Sequence, residues 1–189
     1  PIGPFELANK VGIEDSSFHI RGITQKYGLE FPEVFERVEP FKLSRVSMEI
    51  DDKVAHITIN RPDKLNALDP ETVSQLGERF YEAEANAEVE SIVIGGAGKA
   101  FVAGADVQFF VDQIRANSLE KIQAFTEQGQ KIFRDIEKSE KRVVCAMDGI
   151  ALGGGAELAL SCHSIVATHR SSMAFPETGI GIYPGLGGT

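Results

Sequence analysis

The chain has 189 residues, is 42% hydrophobic and 25% charged, and holds 19 Gly and 8 Pro. This balance excludes collagen-like, low-complexity and strongly disordered chains, and the length suffices for one large domain or a domain plus part of another. A net charge of −9 excludes the overall positive field that draws proteins to nucleic acid or an anionic membrane.

Residues 1–45 carry short apolar clusters: Phe5, Leu7 and Val11, then Phe31, Val34, Phe35 and Val38, punctuated by Pro32 and Pro40. They predict short helices and turns without a long strand, and a boundary near 41–46. From residue 47 strands and helices alternate. Residues 53–60 place Ala55, Ile57 and Ile59 on one face of a strand that Arg61-Pro62-Asp63 ends. Asp69-Pro70-Glu71 is a helix start, with an N-cap acid, proline at the first helical position and an acid in the first turn. Val73, Leu76, Phe80 and Ala83 then form one apolar stripe. Residues 91–94 predict a buried strand running into Gly95-Gly96-Ala97-Gly98, and 99–106 a turn before a helical region. Ser118 is placed to cap a longer helix whose inner face is Ile122, Phe125, Ile132, Phe133 and Ile136. A strand over 142–147, a helix opened by Gly153-Gly154-Gly155 and running to about Cys162, and short strands over 165–168 and 173–175 complete the order. This alternation predicts parallel strands with helices outside. No internal sequence repeat is visible.

No apolar run reaches membrane-spanning length, and no signal peptide precedes the first cluster. The start on Pro1 without Met reads as a fragment or processed product. Cys145 and Cys162, each in an apolar stretch, read as reduced, buried thiols of a cytoplasmic protein. None of His19, His56, His163 and His169 pairs with a second ligand at metal spacing, and no Gly-x-Ser-x-Gly elbow is present.

Three segments can carry chemistry. Residues 99–106 place small residues before a helix, where free N–H groups attract negative charge; alone, they equally describe a loop capped by Asp106. Residues 149–158 put three glycines at a helix start. This arrangement is costly in backbone entropy and presents N–H donors to an oxyanion, with Glu157 in the first turn. In residues 175–185, Glu177 sits in a segment too apolar for a solvated loop. Desolvation there would raise its pKa and suit it to proton transfer, although a loop acid paired with a base has the same appearance. Nucleotide readings fail: Ala100 stands where a P-loop needs Ser or Thr, and no Gly-x-Gly-x-x-Gly occurs.

Taken in order, these segments resemble the crotonase (enoyl-CoA hydratase/isomerase) superfamily. The matching stretches are 56–62 through Leu65-Asn66-Ala67-Leu68, then 99–107, 148–158 and 175–189. The resemblance implies an α/β fold whose core is a repeated ββα spiral, truncated at its C-terminus and preceded by a short helical segment. It implies an acyl-CoA thioester substrate, coenzyme A as part of that substrate and no prosthetic group. The N–H groups of Ala105 and Gly154 would form the oxyanion hole. Lys64, Leu65, Ala67, Lys99, Ala103, Asp106, Val107 and Gly153 would lie along the CoA thioester, with Lys99 as a phosphate contact. The family's hydratases carry two glutamates, matching Glu157 and Glu177, that hold one water between them. Hydration of trans-2-enoyl-CoA in fatty acid β-oxidation is thereby implied, ahead of isomerisation, thioester hydrolysis or a non-catalytic acyl-CoA-binding or assembly role.

Gly3-Pro4-Phe5-Glu6-Leu7-Ala8-Asn9-Lys10-Val11-Gly12 resembles the C-terminal helical domain of 3-hydroxyacyl-CoA dehydrogenases. The chain therefore reads as 1–45 from a dehydrogenase plus linker and 46–189 from a hydratase, cut from a bifunctional enzyme whose NAD site lies upstream. Trimer-based homo-oligomers are the family's implied assembly. No nucleic-acid or membrane partner is expected.

Overall fold

The computed structural model describes residues 4–36 and 43–187. Its contacts divide the chain into two units, Pro1–Ser44 and Arg45–Thr189.

In the first unit, helix α1 (Pro4–Val11) and helix α2 (Ile13–Tyr27) are followed by a short 3-10 turn at Glu33–Phe35. Gly28, left-handed at φ 64°, ends α2, and Leu29 N–H reaches back to the Thr24 carbonyl. The core is small: Ala8 and Ile13 are buried, with Phe35 and Leu43 packed against them. Leu7 and Val11 of the expected apolar clusters are exposed, because α1 finds little in this unit to bury them against. Val38 lies outside the described residues.

The second unit opens with a hairpin. Strand β1 (Val46–Asp51) pairs antiparallel with β2 (Val54–Ile59) across Asp52 and Lys53, both at positive φ. The sequence reading began its strand at residue 53 and missed β1. A two-residue hairpin turn is normally signalled by Asn-Gly or Asp-Gly, and Asp-Lys gives no such signal. Beyond β2 the sheet is parallel, in the order β1-β2-β3-β5-β7, with β3 Ser91–Gly96, β5 Arg142–Met147 and β7 Ser164–Ala167. The alternation read from residues 53–60 holds: Ala55, Ile57 and Ile59 are buried, as are Ile92 and Ile94 of β3. Helix α3 (Pro70–Ala85) buries Val73, Leu76, Phe80 and Ala83. Asp69 caps α3 by accepting from Thr72 N–H at 2.9 Å. Helix α4 (Val107–Arg115) leads into α5 (Leu119–Glu137), which buries Phe125, Ile132, Phe133 and Ile136. Ser118 stands at the α5 N-terminus, but its side chain makes no capping bond; its hydroxyl donates to the Ala116 carbonyl instead.

A second, three-stranded parallel sheet joins β4 (Ala100–Val102), β6 (Ile150–Leu152) and β8 (Ser172–Ala174). The sequence predicts a turn at the β4 segment and no strand at the β6 segment. At three residues each they are too short to show a period. Each long strand runs into one short strand of the second sheet and then into helix or turn: β3-β4-α4, β5-β6-α6 (Gly154–Ser161), and β7-β8 followed by a 3-10 turn at Pro176–Ile180. The ββα repeat is therefore present in topology, although residue identities do not repeat. It stacks the ends of β4, β6 and β8 side by side.

Candidate active site

The site is built from the loops at the ends of these short strands. After β2 the chain turns through a 3-10 segment at Pro62–Lys64, then passes Leu65 and Asn66, both left-handed at φ 50° and 59°. Asn66 is fully buried and fixes this loop. Its Oδ1 accepts from Arg61 N–H at 2.8 Å, and its Nδ2 donates to the Ala97 and Ala100 carbonyls at 2.8 Å each. Asn tolerates the left-handed region better than most side chains do. The loop ends at Leu68, which forms an isolated parallel bridge with Ala105. Leu68 N–H donates to the Gly104 carbonyl at 2.8 Å, and Asp106 N–H donates to the Leu68 carbonyl at 2.7 Å. Backbone groups alternate sides along an extended segment. Because Gly104 C=O and Asp106 N–H face Leu68, the N–H of Ala105 faces away from it.

Gly154 supplies the neighbouring donor. It is the first residue of α6, where N–H groups have no intrahelical acceptor. A Cβ built on Gly154 would stand 3.9 Å from Ala105 N, so the two peptides adjoin. Neither N–H donates to an acceptor among the described residues. The glycines on either side explain this close assembly. A Cβ on Gly155 would lie 2.0 Å from the Val102 carbonyl, so only glycine lets α6 press onto β4. Gly153 has φ 47° and ψ −119°, a conformation that side chains exclude, and a Cβ there would lie 2.2 Å from Glu177 Oε1.

Gly153 touches both acids, Glu157 through its backbone and Glu177 through its carboxylate. The Glu157 N–H closes the first turn of α6 onto the Gly153 carbonyl at 2.9 Å. Its side chain is 3% exposed, and Oε1 accepts from Leu186 N–H at 2.7 Å. Leu186 is itself 4% exposed and packs its methyl groups against Gly154 and Gly129. Glu177 stands in the turn after β8, half-buried, with its carboxylate on the Cα of Gly153. Its Oε2 is buried without a hydrogen-bond partner. Such an atom is costly unless water or a ligand completes it. A cleft of about 560 Å³ opens beside Glu157, lined by Phe133, Leu160, Pro184 and Leu186 among others, whereas Glu177 is not part of that lining.

The other expected ligand contacts fall on the adjoining loops. Lys64 and Lys99 are exposed, on turns that touch: a Cβ on Gly98 would lie 3.0 Å from Pro62 Cβ. Neither amine has a carboxylate partner among the described residues. Leu65 is 42% exposed and Val107 72%, while Ala67 and Ala103 are half-buried. Ala103 N–H donates to the Leu65 carbonyl at 3.0 Å, which closes the two loops on each other. The carboxylate of Asp106, expected beside the CoA thioester, is already engaged: Oδ1 accepts from Gln108 N–H at 3.1 Å, capping α4, and Oδ2 pairs with Arg61 Nη2 at 2.8 Å. Sequence reasoning named Arg61, Asn66 and Leu186 only as members of matching stretches and gave them no part in the site. The partner of Arg61 lies 45 positions away and that of Glu157 lies 29 away, distances at which sequence pattern carries no signal.

His163 Nδ1 accepts from Val143 N–H at 2.9 Å. Cys145 and Cys162 are free thiols, and the Cys145 thiol beside it, together with burial, pushes the Cys162 thiol far above its ordinary range. No group of His, Cys, Asp and Glu suited to a metal ion occurs among the described residues.

A family model described as enoyl-CoA hydratase/isomerase matches residues 54–189. A short-chain-enoyl-CoA hydratase of Clostridium acetobutylicum is 42% identical over 149 residues, covering 78% of this chain and 56% of the relative. A peroxisomal fatty acid beta-oxidation multifunctional protein of Oryza sativa subsp. japonica is 36% identical over 146 residues, covering 77% of this chain and 20% of the relative. Among solved structures, an enoyl-CoA hydratase from Thermoplasma volcanium superposes with TM-score 0.69 at 34% identity, over 77% of this chain and 56% of that one. The chain thus spans about half the length of these single-activity relatives.

Proposed function

The chain belongs to the enoyl-CoA hydratase/isomerase family, and from that premise we propose that the protein carrying it adds water across the double bond of trans-2-enoyl-CoA thioesters. The observation that carries this reading is the Glu177 carboxylate resting on Gly153 with its buried Oε2 unpartnered, at the start of the helix that carries the buried Glu157 and beside the two N–H groups without acceptors. The thioester carbonyl oxygen accepts from Ala105 N–H and Gly154 N–H. The enolate that develops there is stabilised, each donor contributing about 2.7–4 kcal/mol. A water held by the carboxylates loses a proton to Glu157 as its oxygen bonds to the β-carbon. Glu177, protonated, delivers a proton to the α-carbon as the enolate collapses. The unpartnered Oε2 of Glu177 is the position that such a water or proton completes. The assignment of base and donor follows the family pattern.

Lys64 and Lys99, on their touching turns, would meet the CoA phosphates. Coenzyme A enters as part of the substrate. We further propose that residues 1–45 come from a 3-hydroxyacyl-CoA dehydrogenase and that both activities share one polypeptide. Two facts support this: the family match begins at residue 54, beyond the first compact unit, and a multifunctional β-oxidation protein contains a matching segment. NAD would serve only that dehydrogenase, since no dinucleotide fingerprint lies in this chain. A cytoplasmic, trimer-based assembly completes the proposal. The deciding experiment follows loss of the enoyl absorbance of crotonyl-CoA with the protein expressed from its own gene, alongside assays for 3-enoyl-CoA isomerisation and for release of free CoA thiol. Hydration as the dominant rate supports the reading; isomerisation or thiol release without hydration sinks it.

A further inference from the structure

Resting on that reading of the oxyanion hole, we infer that Arg61 is a positioning residue for the chemistry, aiming the Ala105 donor and cancelling the Asp106 charge beside it. The guanidinium is largely buried, with its side chain 14% exposed. Nη2 pairs with Asp106 Oδ2 at 2.8 Å and lies 3.3 Å from Asp69 Oδ2, and Nη1 donates to the Ala67 carbonyl at 2.9 Å. Asp69 is paired in turn with Arg45. One guanidinium therefore grips the residue before Leu68, the residue after it and the residue after Ala105. The Leu68–Ala105 bridge lies between these holds, so Arg61 fixes the bridge that turns the Ala105 N–H away from Leu68.

Charge supplies the second argument. Arg45, Arg61, Asp69 and Asp106 sum to zero. Asp106 follows the oxyanion donor directly, so its carboxylate, if uncompensated, opposes the negative charge developing on the thioester oxygen. Charges a few ångströms apart in a partly buried site interact strongly. Arg61 removes that opposition without touching substrate.

The two roles predict a distinctive pattern. Arg61→Met tilts the donor and exposes the transition state to an unpaired carboxylate, so kcat should fall about 100-fold with KM changed by less than about 3-fold, since ångström misplacement of a reacting group costs this much. Asp106→Asn keeps the α4 cap oxygen but removes the charge. Added to Arg61→Met it should restore kcat about 10-fold, and Arg61→Lys should retain an intermediate rate. A purely structural Arg61 gives no rescue by a second substitution in the same network.

The direct readout is the absorption band of bound 2,4-hexadienoyl-CoA, whose conjugated thioester shifts to the red when its carbonyl is polarised. The wild-type protein should bind it with a clear red shift. Arg61→Met should bind it within about 3-fold of the wild-type affinity and lose most of the shift. A full red shift in folded Arg61→Met, or a kcat loss that matches its loss of folded protein, overturns the inference. Should Arg61→Met fail to fold, Arg61→Lys and Asp106→Asn carry the same two measurements: a reduced shift in the lysine variant supports the inference, and an unchanged shift with unchanged kcat in both overturns it. Absence of a red shift in the wild type overturns the oxyanion-hole reading itself and is separable from failure of the Arg61 assignment.

Discussion

The helix that carries Glu157 and the turn that carries Glu177 treat the same functional group in opposite ways. On α6 the carboxylate is buried, held by Leu186 N–H, and mounted on a helix pressed against β4 at Gly155. In the turn after β8 the carboxylate is half-buried, rests on a bare Cα, and keeps one buried oxygen without a partner. The difference separates two tasks. A group held by the protein is oriented before any ligand arrives, whereas a group with an open hydrogen-bonding position is completed by the ligand or water.

The strongest test removes each acid in turn. Glu157→Gln and Glu177→Gln should each lower kcat for crotonyl-CoA hydration by about 10²–10⁴-fold, with unchanged far-UV circular dichroism; near-wild-type rates in both would end the two-acid reading. Gly153→Ala tests the turn alone. Its methyl group meets Glu177 and leaves Glu157 in place, so we expect a rate loss of about 100-fold and a destabilisation of about 1–3 kcal/mol from the strained backbone, read by steady-state kinetics and urea melts. Leu186→Ala tests the helix side. It retains the N–H that holds Glu157, so activity per folded molecule should change less than about 3-fold, while stability falls by about 2–5 kcal/mol from the cavity against Gly129 and Gly154. A large activity loss in this variant would show that the side chain, and not the amide, shapes the base.

The smallest effect lies outside both acids. Burial raises the Asp69 carboxyl, but the Thr72 N–H and hydroxyl and the Arg45 guanidinium outweigh it and hold the folded-state pKa below the ordinary value. A folded pKa below the unfolded one gives stability that is present above the unfolded value near 4 and lost as pH falls through the folded value. Asp69→Ala should cost about 0.5–2 kcal/mol at neutral pH. The gap from wild type should narrow in denaturant melts below about pH 4.

Much of this arrangement was legible in the sequence, unevenly and for physical reasons. The apolar stripe of α3 and the alternation in β2 were visible because burial imposes a period. The three glycines pointed to close approach, and the structure places Glu177, the Ala105 peptide and β4 against Gly153, Gly154 and Gly155 in turn. The strands β4 and β6 were missed because three residues hold no period. The roles of Arg61 and Asn66 were missed because both reach across to the 97–106 segment, and a ladder of long-range polar contacts leaves no mark on local pattern. Asp106 shows the same limit: its carboxylate is committed to Arg61 and to the start of α4, two partners that local pattern does not announce.

The hydrogen bond from Leu186 to Glu157 also sets an order of events during synthesis. The acid leaves the ribosome 29 residues before the amide that holds it. At about 5–20 residues per second, that is an interval of roughly 1.5–6 s, in which the rest of α6, β7 and β8 are made. Until Leu186 emerges this one hydrogen bond is absent, so the orientation it gives Glu157 is acquired only after β7 and β8 have been made.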